Sequence, residues 1–172
     1  MNKKTKINLL PLLIFLGIAI VVYFLFLNDK DLFNPNREPE VRRLNGFPTT
    51  VYTEKDVEKE RVIIRSEQEL AEFLNRIDES GYLIVREKVD FEKEILLGVS
   101  SSTNDEEGHE IKVRKLYEDK ENNKLLVSVR ELELGDTCEK IMNKNITVDV
   151  VVVSKTDMEI DFERFKQVEE CE

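Results

Sequence analysis

Between Ile7 and Leu27 the chain runs for 21 residues with one strongly polar side chain, Asn8, and no charge. As a helix this run extends roughly 32 Å at about 1.5 Å per residue, enough to cross the hydrocarbon core of a bilayer. Lys3, Lys4 and Lys6 precede it, while Asp29, Lys30 and Asp31 follow. The excess of positive charge keeps the N-terminus in the cytoplasm and sends everything after Leu27 outside. The expected order is a cytoplasmic tail (1–6), a single-pass anchor in the lipid bilayer of the cell membrane (7–27), a linker (28–46) and an extracytoplasmic domain (47–172). A cleaved secretory signal is the competing reading. The stretch Val21-Val22-Tyr23-Phe24-Leu25-Phe26-Leu27 offers no small-x-small cleavage site, which favours a retained anchor. No cysteine lies near the end of the run, so attachment through a lipid-modified cysteine has no support.

With three lysines ahead of the run set aside, the rest of the chain carries 36 acidic and 23 basic side chains, a formal charge of −13. Such a surface repels phosphate backbones, so nucleic acid and anionic lipid headgroups are poor partners. Lys and Glu are mixed throughout, so the charge also reads simply as solubility. The 145 or so residues after the anchor suit one domain. Both cysteines, Cys138 and Cys171, fall on the outside part, where thiols oxidise. One disulfide is the favoured reading, two separate thiols the alternative. A bridge would remove on the order of 4 kcal/mol of unfolded-chain entropy and pin the C-terminus.

From Asn28 to Gly46 no apolar period is sustained, and Pro35 and Pro39 punctuate the stretch, which reads as a linker. Thr49 to Thr53 is an optional edge strand. Arg61 to Arg65 is β-rich and leads into Ser66-x-x-Glu69, a capping box opening a helix with Leu70, Phe73, Leu74 and Ile77 on one stripe; Gly81 stops the helix soon after. Glu94 to Ser100 has the length and apolarity of a central strand, with Gly98 placed for a bulge or a close backbone approach. After a polar loop from Ser101 to Gly108, Ile111–Tyr117 and Leu125–Leu132 alternate with period two and form a hairpin. Ile146 to Val153 is a further strand and Met158 to Phe165 a last one. The fold class is α+β: one packed helix on a mainly antiparallel sheet.

Catalytic chemistry finds little to work with. His109 is the only histidine, no serine sits in a nucleophile elbow, and Cys138 already has a disulfide partner in prospect. One histidine and two distant cysteines lack the paired spacing of zinc sites. The loop Asn104 to Glu110 concentrates oxygen ligands suited to a hard cation, but a solvated loop is the plainer reading. Asp119 to Asn123 departs from a calcium loop, with Lys124 at the sixth position and Arg130 at the twelfth, and reads as a hairpin turn. No clustered glycines cradle a phosphate. Ser128, Thr137 and Thr147 read as ordinary sheet or turn residues. Unpaired strand edges are the physical form a binding function would take.

Val62 to Leu70, then Val89-Asp90-Phe91, Glu94 to Val99, the hairpin, and Cys138 with its downstream valine-rich strand resemble the PrcB C-terminal domain, a small domain named for a protease-complex subunit. The resemblance covers about residues 60 to 163. It departs from the family where a glycine-rich loop ending in Gly-Gly-Tyr is replaced by Glu106-Glu107-Gly108-His109, and where Thr147-Val148 stands for a proline-tyrosine pair. The resemblance implies an extracytoplasmic accessory domain that binds or stabilises another exported protein, such as a protease, with no catalytic residues to carry over.

The expectation is therefore a membrane-anchored, non-enzymatic, protein-binding or stabilising domain without cofactor or metal. Its candidate partner-facing loop is Asp105, Glu107, Gly108 and His109. The rival readings are a cation-dependent hydrolase built on that acidic loop and an envelope spacer without a specific partner.

Overall fold

A computed structural model of the chain describes residues 41–171. The expected tail, the anchor and most of the linker lie outside these residues. Among the described residues no helix is long and apolar enough to cross a membrane. The described residues form nine strands and one helix in order: β1 Arg42–Arg43, β2 Thr50–Tyr52, β3 Glu60–Ile64, α1 Glu67–Ile77, β4 Glu94–Ser100, β5 Asn104–Glu106, β6 Glu110–Asp119, β7 Lys124–Leu134, β8 Met142–Ser154 and β9 Glu159–Glu169.

The organising element is β8, 13 residues long and continuously buried from Asn145 to Val153. Its valine run suits a strand covered on both faces, because β-branched side chains pack well on a pleated surface. Alternation divides it: Val148, Val150 and Val152 join the cluster around α1, while Val151 and Val153 join the cluster facing a second sheet. β4 divides the same way, with Leu96 toward the helix and Ile95, Leu97 and Val99 toward the second sheet. The result is a helix, a central sheet and a second sheet stacked in layers. Each such buried aliphatic side chain contributes about 1.5–3 kcal/mol relative to exposure.

β8 pairs antiparallel on both sides. β1 and β2 bond to successive stretches of one edge. β4 and β5 bond to successive stretches of the other. β3 lies beyond β4 and completes the central sheet. Two sequence boundaries shift as a result. Arg42 and Arg43, in the stretch read as linker, form β1, and Leu44 beside them is buried in the helix-side core. The polar loop after β4 is not wholly irregular, since β5 rejoins β8 at Asn104 and Glu106.

α1 begins where the capping box places it. Ser66 adopts extended backbone, and its Oγ accepts from Glu69 N–H at 3.2 Å. Glu69 reciprocates toward Arg65 N–H at 2.6 Å, one residue before the usual target. The last turn closes on Asp78, whose carboxylate accepts from the N–H of Ser80 at 2.9 Å and of Leu83 at 2.7 Å. Burial pushes the Asp78 carboxyl upward, but these bonds and the Ser80 hydroxyl outweigh it and hold the group below the usual aspartate value. Gly98 provides the close approach: a Cβ there would stand 2.9 Å from both the Phe73 ring and Val62. No bulge occurs, since Gly98 stays in register with Val62 and Val150.

The second sheet is β6–β7–β9. β6 and β7 form the expected hairpin, turning through Asn123 at φ 53°, with one register shift between Val113 and Lys115. β9 departs from expectation. It runs to Glu169 and pairs with β7 in parallel over all eleven residues, from Lys124↔Glu159 to Leu134↔Glu169. The chain leaves β8 in one sheet and enters β9 in the other, so direction follows from this crossing and not from a hairpin. Cys138 and Cys171 are joined, with Cα atoms 4.9 Å apart. The bridge ties the end of β9 to the segment after β7, where Gly135 N–H also bonds to Glu169 O at 2.8 Å.

Candidate functional site

The space between the two sheets changes character along its length. Around Leu97, Val127 and Val151 it is wholly apolar. Midway, Asp149 projects from β8 into it and is 3 % exposed. Its carboxylate accepts from Val113 N–H at 2.9 Å and from Arg43 Nε and Nη2 at 3.2 and 3.1 Å. Burial pushes the Asp149 carboxyl up, with the Val113 and Arg43 bonds working in the opposite direction. Two residues earlier on the same face, Thr147 opens the polar end.

There β3 and β9, each at one edge of its sheet, are tied through β7. Glu131 receives Arg61 Nη2 on one carboxylate oxygen and Arg164 Nε on the other, both at 2.6 Å. Arg61 also donates from Nη1 to the carbonyls of Glu60 and Ser100, each at 2.6 Å. Burial depresses the Arg61 pKa and the neighbouring Arg164 adds to this, while Glu131 sustains the charge. Lys59, Glu131 and Arg164 line both of two adjoining cavities of about 120 and 360 Å³. The smaller reaches in to Ser101, His109 and Thr147; the larger is walled by Arg61 and Phe162.

The residues singled out in the acidic loop disperse. Asp105 lies exposed on β5. Glu107 accepts from Asn143 Nδ2 at 2.7 Å and, through a hydrogen bond from the Tyr52 hydroxyl, raises that phenol's pKa. Gly108 has φ +91° and packs so close to Leu134 that a Cβ would collide with it. His109 alone of the four turns to the interlayer cavity. Glu110, next to it, would be raised by burial, but Lys112 and Arg130 hold its carboxyl below the usual glutamate value. Among the described residues no three His, Cys, Asp or Glu side chains converge to hold a metal ion.

Sequence reasoning passed over Lys59, Arg61, Glu131 and Arg164, because the partners of the ion-paired trio lie 70 residues and 33 residues apart and mixed charge reads as solvated surface. Thr147 had a signal of its own: a hydroxyl beside Asp149 in an otherwise apolar run.

A second feature is the outer edge of β9. No described strand pairs with it, and its register with β7 is unbroken. Phe165 and Val168 on it are 59 % and 53 % exposed. Comparison of the chain with family models, with curated proteins and with solved structures gives no match.

Proposed function

We propose that the domain is a non-enzymatic binding or stabilising module held outside the cytoplasmic membrane by the helix expected over residues 7–27, and that it receives an extended segment of another exported protein, such as a protease, along β9. The observation that carries this reading is the eleven-residue, unbulged outer edge of β9. Such an edge offers a row of backbone donors and acceptors to an added strand. Phe165 and Val168, on opposite faces by alternation, give that strand apolar contacts on both sides. The disulfide and the Gly135–Glu169 bond hold the edge extended before any partner arrives, which lowers the ordering cost of binding. Arg164 and Lys166 pair with Glu131 and Glu133 of β7, and charges of this kind discourage indiscriminate edge pairing. The resemblance to the PrcB C-terminal domain points to the same role. The acidic-loop hydrolase draws no support from the dispersed carboxylates.

The test is affinity capture from detergent-solubilised membranes with the full chain, residues 1–46 alone, and the full chain carrying Phe165→Asp with Val168→Asp. A protein recovered by the full chain and lost with both controls supports the reading. Equal recovery by the doubly substituted chain removes β9 from the account, and recovery of nothing specific leaves a spacer.

A further inference from the structure

We infer that the cleft at the polar end of the two sheets is a binding site for a carboxylate group. In a chain of formal charge −10, three cations, Lys59, Arg61 and Arg164, meet at one opening. The acids around them are largely committed. Glu131 is shared between Arg61 and Arg164, Glu133 is held by Lys166, and Glu110 by Lys112 and Arg130. Lys59 has no ion-pair partner among the described residues, and the two terminal nitrogens of Arg164 bond to none of them. Local charge is therefore left over, and its sign is opposite to that of the molecule.

A second, independent observation lies deeper. Thr147 is 2 % exposed, lines the cleft, and its Oγ1 has no hydrogen-bond partner among the described residues. A buried hydroxyl without a partner costs stability, so its presence calls for something that satisfies it. Beside it the Ser101 Oγ already accepts from Thr147 N–H at 3.0 Å and from Asn104 Nδ2 at 3.2 Å. What Ser101 has left to offer is its proton. Lys59, Arg164, Ser101 and Thr147 thus all present donors, the complement of a group that only accepts.

The surroundings choose among anions. The inner cavity of about 120 Å³ admits only a few heavy atoms. Glu110, Glu131 and Glu133 line it and Glu163 lines the larger cavity outside, which opposes a dianion such as phosphate more than a monoanion. Arg164 presents a planar fork suited to a carboxylate, and Phe162 at the mouth provides an apolar wall for the carbon skeleton behind it. A free small carboxylate and the C-terminal carboxylate of a peptide share this chemistry. The inference does not depend on β9 receiving a strand.

The test uses the full chain in neutral-lipid nanodiscs with labelled threonine methyls and arginine Nε. Sodium acetate, N-acetylglycine and N-acetylglycinamide are titrated at ionic strength held constant with chloride. Saturable shifts of Thr147 and Arg164 with acetate and N-acetylglycine, but not with the amide, are expected. Affinity should fall about tenfold or more in Lys59→Gln and in Thr147→Val, the latter keeping a thermal midpoint at or above the unsubstituted protein's. Tighter binding of N-acetylglycine than of acetate assigns the site to peptide termini; equal or weaker binding assigns it to small free acids. Shifts that do not saturate, that chloride reproduces, or that persist unchanged in folded Thr147→Val overturn the inference.

Discussion

The two ends of the space between the sheets are built from the same strands yet obey different rules. At one end β4, β7 and β8 close Leu97, Val127 and Val151 into a region with no polar side chain among them. At the other, β7 supplies Glu131 and β8 supplies Thr147, with Arg61 and Arg164 arriving from the edges. One strand can thus carry stability over part of its length and recognition over the rest. The boundary is Asp149, the last polar group before the dry region.

The largest effect is expected at the dry end. Leu97→Ala removes a fully buried side chain packed between Ile63 and Val151 and should cost about 4 kcal/mol in denaturant unfolding. At the boundary, Asp149→Ala strands Val113 N–H and leaves Arg43 only its bond to Val113 O, and should cost about 2–3 kcal/mol. A loss below about 1 kcal/mol would mean that water reaches Asp149 and that the division is misplaced. Reduction of Cys138–Cys171 should lower stability by about 2–4 kcal/mol. In hydrogen exchange it should loosen the Gly135 N–H bond to Glu169 and the end of β9 while leaving Ile95 to Val99 protected; uniform loosening would erase the contrast. The smallest change belongs to the polar end: Glu131→Gln, in a half-buried and solvent-screened trio, should cost about 1 kcal/mol or less.

Much of this architecture was legible in local patterns. Ser66 and Glu69 announce the start of α1, the alternation of Ile111 and Val113 with Lys112 and Arg114 announces β6, and the valine run announces a strand. The pairing of Cys138 with Cys171, the favoured of two readings on the number of cysteines and their expected place outside the membrane, is present. What escaped was relational. Ile160 and Phe162 mark β9 as a strand, but alternation carries no information on which sheet it joins or in which direction. β1 was lost because two arginines flanked by charge resemble linker; what ties them to the fold is the pairing with β8 and the bonds of Arg43 to Asp149, both with residues more than a hundred positions away. The candidate cleft was hidden because Arg61, Glu131 and Arg164 each look like ordinary surface residues until β3 and β9 bring them to β7.

The position of β8 along the chain has a consequence for assembly. β1, β2, β4 and β5 all find their hydrogen-bonding partner in it, and it begins only at Met142. A chain emerging N-terminus first must hold the β8-facing edges of those four segments unpaired until the residues from Met142 onward have appeared, a topology of distant pairings that folds slowly. The central sheet therefore waits for β8, and a chain stopped short of Met142 would remain a target for any quality-control protease that meets it.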